Sequence, residues 1–380
     1  MSGTIPWWAP QMGGTEYDLV KQVLDSNYIN EGQVTERFEN ELGALLGVRH
    51  VVAVTSGTAA IYLALAGLGV GAGDEVIVPD ITFIATANAV VMTGARPVLV
   101  DVDPRSLNID PEATERAITK RARAIVPVHV SGRAVDMRSI LGVAERHGLV
   151  VVEDAAEGFA SKLNGRYLGT IGRAGCLSFS PNKTITSGQG GAILTDDDGL
   201  CGRLHELKDQ GRPVRGTGGD DIHYSVGYNF KFTNLQAAVG LAQLEYLQPR
   251  LRRMREIYLG YAARLTNLPG ISLPGFDIGA GESPQWTDAI VERRDELDRF
   301  LASRNMHCRR FWHPIHTQAP YRRPDDDFPN SSRIAPHALW LPSAFTLTDS
   351  DVANVSEQIN LFVRDKNSVS LSSSSPMGGQ

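Results

Sequence analysis

The 380-residue sequence predicts an α/β fold, with a large domain on a mostly parallel sheet and a smaller α+β domain after it. Three observations carry that reading. Between residues 48 and 200, short runs rich in β-branched residues alternate with helical patterns. Those runs are apolar throughout rather than at every second residue, as in strands covered on both faces. After about residue 270 the pattern changes to short strands and helices with Trp, His and Pro among them.

In chain order, residues 14–45 read as helical around a polar turn, Ser26-Asn-Tyr-Ile-Asn-Glu-Gly32. Strands are expected at Val51–Val54, Glu75–Val78, Pro97–Val100, Ala124–Val128, Leu149–Val152 and Ala192–Leu194. Helices at Thr58–Leu68 and Met137–His147 fall between them. A long helical pattern over 233–265, with Gln236-Ala-Ala-Val-Gly-Leu-Ala-Gln-Leu244 inside it, closes the large domain at 1–265. The small domain covers 266–366, and the Ser/Gly-rich residues 367–380 are expected to be a disordered tail.

Composition narrows the function. At 42% hydrophobic and 21% charged residues, the chain fits a soluble globular protein and not a disordered, collagen-like or coiled-coil one. Thirty-seven basic against 43 acidic residues give a net charge of −6, which argues against nucleic-acid binding. The basic cluster Arg250-Leu-Arg-Arg-Met-Arg255 suits a solvated helix face. Cys176, Cys201 and Cys308 are far apart and form no CxxC, so neither a disulfide framework nor a bound metal is expected. No signal-like leader and no apolar stretch approaching about 18 residues is visible, so the expectation is a cytoplasmic protein without membrane contact.

Three features could carry chemistry. In Thr55-Ser-Gly-Thr-Ala-Ala-Ile61 a strand gives way to a helix through small residues, which leaves N–H groups open to an anion; a simply capped helix start would look the same. In Val150-Val-Val-Glu-Asp-Ala-Ala-Glu157 an acidic pair closes a buried strand, at the edge where open α/β sheets bind ligands; Asp154 could equally be an N-cap. In Leu177-Ser-Phe-Ser-Pro-Asn-Lys-Thr-Ile-Thr-Ser-Gly-Gln-Gly-Gly191, Lys183 is a lone cation beside a glycine-rich turn. Such a lysine can form a Schiff base, or it can be a surface residue before a turn. Together the three match what pyridoxal phosphate needs: a phosphate cradle, a carboxylate for the pyridinium nitrogen and a lysine.

With Gly71-Ala-Gly-Asp-Glu-Val, Thr82-Phe-Ile-Ala-Thr-Ala-Asn88 and Gly227-Tyr-Asn-Phe-Lys-Phe-Thr-Asn234 added, the sequence resembles the DegT-type sugar-nucleotide aminotransferases from Ile5 to Val363. These are pyridoxal-phosphate enzymes of the aspartate-aminotransferase fold, fold type I. The Asn-Lys-Thr-Ile-Thr and Asp-Ala-Ala-Glu forms look most like the GDP-perosamine-forming members, which aminate C4 of a GDP-linked 4-keto-6-deoxy sugar. The resemblance implies L-glutamate as amino donor and a keto sugar nucleotide as acceptor. It implies that Lys183 bonds the cofactor and moves the proton, that Asp154 pairs with the pyridine nitrogen, and that Phe83 stacks on the ring. It places Gly57, Thr58 and Ser178 at the phosphate, and Glu157 beside the phenolic oxygen, where Gln is frequent. Asn229 would reach the phosphate of a neighbouring subunit, making the active unit a homodimer, and His313 or His316 would serve the sugar side.

Some positions depart from the family pattern. Phe230-Lys231 stands for Tyr-Arg, Asn27-Tyr-Ile-Asn30 for a Gly-Trp-Ile-Ser-like turn, and Gln189 for Glu; these changes touch the sugar side more than the cofactor side. C3 amination or another amino-sugar reaction of the same scaffold stays open, and so does a non-catalytic cofactor-binding regulator. Dehydratase relatives carry histidine in place of Lys183, and no G-x-G-x-x-G follows the first strand of the sheet, which argues against a nicotinamide enzyme.

Overall fold

The computed structural model describes residues 3–213 and 222–372. Helices α1 (Thr15–Asp25) and α2 (Gln33–Leu46) precede β1 (His50–Val54), α3 (Gly57–Gly67), β2 (Glu75–Pro79), α4 (Ala85–Met92) and β3 (Arg96–Val100). Then come α5 (Pro111–Arg116), β4 (Ala122–Ile125), α6 (Met137–His147), β5 (Val150–Asp154), a small hairpin of β6 (Lys162–Leu163) and β7 (Arg166–Tyr167), and β8 (Ala174–Ser178). β9 (Gly191–Thr195), α7 (Asp198–Lys208), α8 (Asn234–Glu245) and α9 (Leu247–Leu265) follow. The remaining elements are β10 (Ile271–Ser272), β11 (Thr287–Val291), α10 (Arg294–Ala302), β12 (Arg309–Arg310), α11 (Pro329–Ile334), β13 (Ala338–Leu341) and α12 (Asp349–Ser372). The tail expected from 367 therefore begins inside α12, and residues 373–380 lie outside the described ones.

The large sheet runs β1-β9-β8-β5-β4-β2-β3. From β8 through β5, β4 and β2 to β3 every pairing is parallel, whereas β9 is antiparallel to both neighbours. This is the mostly parallel α/β architecture of fold type I. Both faces are covered, which is why the strands are apolar throughout. Val52, Val76, Val78 and Val152 pack under α3 and α4, while Val51, Ala53, Ile77 and Val151 turn to the face held by α2, α8 and α6. Helix α3 is apolar on every side because it is wedged between the sheet and the buried Leu200 and Leu204 of α7.

Three expectations are refined by the structure. The run 233–265 is two helices, broken at Tyr246, and the first opens with a capping box between Thr233 and Gln236. β8 was not among the expected strands. Its sequence Ala-Gly-Cys-Leu-Ser lacks Val and Ile, and Gly175 abuts Gly169 too closely for a larger residue there. The second sheet, β10-β11-β13-β12, is antiparallel and packs against α9, α10 and α12 through Tyr261, Leu297, Leu339 and Val355. No helix among the described residues is long and apolar enough to cross a membrane, and no group of His, Cys, Asp or Glu among them could hold a metal ion.

Candidate active site

A cleft of about 330 Å³ opens at the carboxyl ends of the parallel strands, the place where an α/β sheet leaves room for a ligand. β1 ends there and the chain turns directly into α3. Ser56, in extended conformation, caps the helix by accepting the Ala59 N–H at 3.1 Å. Gly57 packs on β8, with a built Cβ only 3.0 Å from Ser178 Cβ, so the helix start nests close to the sheet. The first N–H groups of a helix have no partner within it, and the helix dipole makes that end attractive to anions. Gly57, Thr58, Ser178 and Ser180 line the same end of the cleft, the two serine hydroxyls 3.2 Å apart.

The acidic pair at the end of β5 divides by strand alternation. Glu153 turns away from the cleft and accepts N–H groups from Gly169, Ile171 and Gly172, together with the His129 ring at 2.9 Å. Val135 N–H donates to His129 Nδ1, so it is Nε2 that carries the proton shared with Glu153. His129 thus has a local role behind the cleft. Burial acts to raise the Glu153 carboxyl, but these bonds outweigh it and hold the pKa low. Asp154 lines the cleft and accepts the Thr86 hydroxyl at 2.8 Å and the Ala156 N–H at 3.1 Å. With so few donors, burial dominates and its pKa is raised.

Lys183 follows a turn in which its N–H bonds the Ser180 carbonyl at 3.1 Å around Pro181. Its Nζ lies 3.3 Å from Glu157 Oε1 and 4.9 Å from the centre of the Trp286 ring. Burial pushes the Glu157 carboxyl up to about 7, although Lys183 and the Ser131 N–H at 3.0 Å pull the other way. Phe83, on the turn before α4, lines the cleft with its side chain 53% exposed, a large apolar face left open to a ligand.

The structure therefore brings Gly57, Thr58, Phe83, Asp154, Glu157, Ser178 and Lys183 to one cleft. Outside this cleft lie the two histidines expected on the sugar side and Asn229, which was expected at a neighbouring subunit's site. Asn229 is exposed, in a bridge with Asp209, and does not line this chain's cleft. His313 is exposed, and His316 is fully buried between Asp80, 2.6 Å from Nδ1, and Asp325, 3.1 Å from Nε2, with Phe328 stacked on its ring. The outer wall of this cleft is made by Trp286, Arg309, Trp312 and Trp340. All five tryptophans form one cluster, in which Trp7 and Trp340 stack at 6.1 Å and Arg309 sits 4.8 Å from the Trp7 ring. The enrichment of Trp after residue 270 was visible in the sequence, but its pairing with Trp7 and with the Lys183 turn spans too much chain for any local pattern.

The profile of the DegT/DnrJ/EryC1/StrS aminotransferase family matches residues 10–360. The GDP-perosamine synthase of Caulobacter vibrioides is 38% identical, over 91% of this chain and 95% of that protein. The GDP-perosamine synthase of Escherichia coli O157:H7 is 36% identical, over 95% and 99%. Among solved structures, DesV of S. venezuelae in complex with a ketimine intermediate superposes with a TM-score of 0.87 at 34% identity, over 92% of this chain and 94% of that one. With its profile matched over nearly the whole chain and its motif residues gathered in one cleft, this protein belongs to the DegT/DnrJ/EryC1/StrS aminotransferase family.

Proposed function

We propose that this sugar aminotransferase uses pyridoxal 5′-phosphate to move an amino group from L-glutamate to a keto sugar nucleotide, at C4 of a nucleotide-linked 4-keto-6-deoxy sugar. The observation that carries the reading is the convergence of Asp154, Lys183 and the α3 N-terminus on one cleft. The identity to the two GDP-perosamine synthases supports C4 as the position.

The residues present fit the cofactor. Asp154 is a buried carboxylate with a raised pKa and only two donors, so a cationic ring nitrogen facing it would relieve the cost of burying its charge. The N–H groups at Gly57 and Thr58, with the hydroxyls of Ser178 and Ser180, suit a phosphate ester. Phe83 offers an open aromatic face for the ring. When bound, the cofactor supplies an electron sink for the bond broken at the amine-bearing carbon.

Each of this chain's groups then has a task. Asp154 keeps a negative charge where the ring nitrogen would lie. Lys183 takes a proton at Nζ and returns it on the same side of the cleft, with Trp286 behind it and Glu157 within reach. The tryptophans around Arg309 exclude water from the outer wall, and Arg309 offers a guanidinium to an anionic substrate. Asn229 would serve the neighbouring copy of a homodimer, in line with the exposure of Tyr224 and Val226 on the same segment.

The test is the visible absorption spectrum of purified protein with pyridoxal phosphate, before and after L-glutamate, with Lys183→Ala as control. The expected result is a band that glutamate removes in the wild type and that is missing from the variant. Glutamate-treated enzyme offered a panel of 4-keto and 3-keto sugar nucleotides should then regain the band only with a 4-keto-6-deoxy sugar. Recovery with a 3-keto sugar alone would replace C4 by C3, and absence of any band would refute the proposal.

A further inference from the structure

Lys183 lies outside regular secondary structure, in the connection between β8 and β9. A lysine on such a connection needs external support, because a displacement of about 1 Å can cost on the order of a hundredfold in rate. That support comes from the segment 283–288, which enters β11 of the second sheet. The buried Gln285 side chain accepts from the Thr184 N–H at 3.2 Å and the Thr184 hydroxyl at 2.8 Å. Its amide nitrogen donates to the Asn182 carbonyl at 3.3 Å. One side chain thus holds both residues that flank Lys183, and the next residue, Trp286, places its ring 4.9 Å from Lys183 Nζ.

The same segment also governs the carboxyl beside the lysine. The Gln285 N–H donates to the Ser131 carbonyl at 2.7 Å. The Ser131 hydroxyl donates to Asp288 at 2.8 Å, and Asp288 is paired with the buried Arg133. Held at both ends, Ser131 adopts the left-handed conformation, φ 53°, that a non-glycine residue rarely takes. In that conformation its N–H reaches Glu157 Oε2 at 3.0 Å, leaving Oε1 toward Lys183 at 3.3 Å. Gly132 completes the approach: a Cβ there would lie 2.2 Å from the Ser283 carbonyl oxygen.

We propose that Gln285 is a positioning residue for Lys183, its side chain clasping the lysine's two neighbours, while its main-chain N–H holds the Ser131 that orients Glu157. It touches neither the cofactor site nor a reacting atom; it acts through the residues it holds. The inference rests on Lys183 being the reactive lysine of the proposed function.

The test compares holoenzymes carrying Gln285→Met, which keeps side-chain length, removes the three side-chain bonds and leaves the main-chain bond to Ser131, and Thr184→Val, which removes one. Two quantities are read: the pH midpoint of the visible band of the lysine-bound cofactor, and the single-turnover rate with L-glutamate. Gln285→Met is expected to move the midpoint and to slow the turnover by roughly 10–100-fold, with the glutamate KM nearly unchanged. Thr184→Val should do the same in smaller measure, and the double variant should be no worse than Gln285→Met, as for residues acting through one contact. Lowered thermal stability with midpoint and rate unchanged would show a purely structural role and overturn the proposal. If Gln285→Met does not fold, Thr184→Val decides by the same two readings. A wild type without a band would overturn the functional reading, and the clasp's role with it; a wild-type band unmoved in both variants overturns the clasp alone.

Discussion

Burial pushes the Glu157 carboxyl up to about 7, while an unfolded glutamate titrates near 4.5. Between those values the cofactor-free folded protein holds a proton that the unfolded chain has released, so stability falls as pH rises through this window. The difference corresponds to about 3 kcal/mol at most, present at pH 4.5 and gone above 7. Urea unfolding of the cofactor-free protein at pH 5 and pH 8 should show that loss, and Glu157→Gln should abolish most of it. An unchanged slope in the variant would mean that other groups set the pH dependence. Glu157 was legible in the sequence because it shares a short strand-end motif with Asp154, as Lys183, Gly57 and Ser178 sit in motifs of their own. Its partner Ser131 was not legible. Nothing in Val130-Ser131-Gly132 announces a left-handed serine whose conformation is imposed by Asp288, far along the chain.

At the scale of elements, the cradle at α3 depends on how closely the helix start rides over β8 and β9. A Cβ at Gly191 would lie 2.5 Å from the Ser56 carbonyl oxygen and 2.7 Å from the Gly57 nitrogen, both backbone atoms. Gly191→Ala must therefore displace the first turn of α3, costing about 1–3 kcal/mol and loosening the proposed phosphate site. Gly202, exposed within α7 with nothing near its missing Cβ, is the opposite case. Gly202→Ala should stabilise the protein by about 0.5–1 kcal/mol through helix propensity alone. Denaturant midpoints and cofactor titrations of the two variants check both signs; equal effects would refute the close-packing account. The strands that local pattern revealed are those rich in Val and Ile. β8 escaped because close packing at Gly175 favours small residues, and the reversed direction of β9 escaped because strand polarity is set by the connection and not by composition.

At the scale of the whole molecule, the cleft of one chain holds Lys183 but not Asn229. The large domain's share of the site was legible because each of its motifs is local in sequence. The wall from the second sheet was not, because Trp286, Arg309, Trp312 and Trp340 meet only after the chain has folded back on itself. A subunit partner lies one step further from any such pattern, and mixing subunits can reveal it. In a symmetric homodimer with Asn229 donated across the interface, each site pairs the Lys183 of one copy with the Asn229 of the other. Lys183→Ala subunits lack the lysine, and Asn229→Ala subunits weaken the cofactor site of their neighbour. At a cofactor concentration where Asn229→Ala alone is empty, each variant by itself should be inactive. After subunit exchange in equal amounts, half the dimers are mixed, and each of those has one site with both residues intact. Activity should return to roughly a quarter of wild type. If Lys183 and Asn229 instead serve the same chain's site, every site in every mixed dimer lacks one of them and nothing returns.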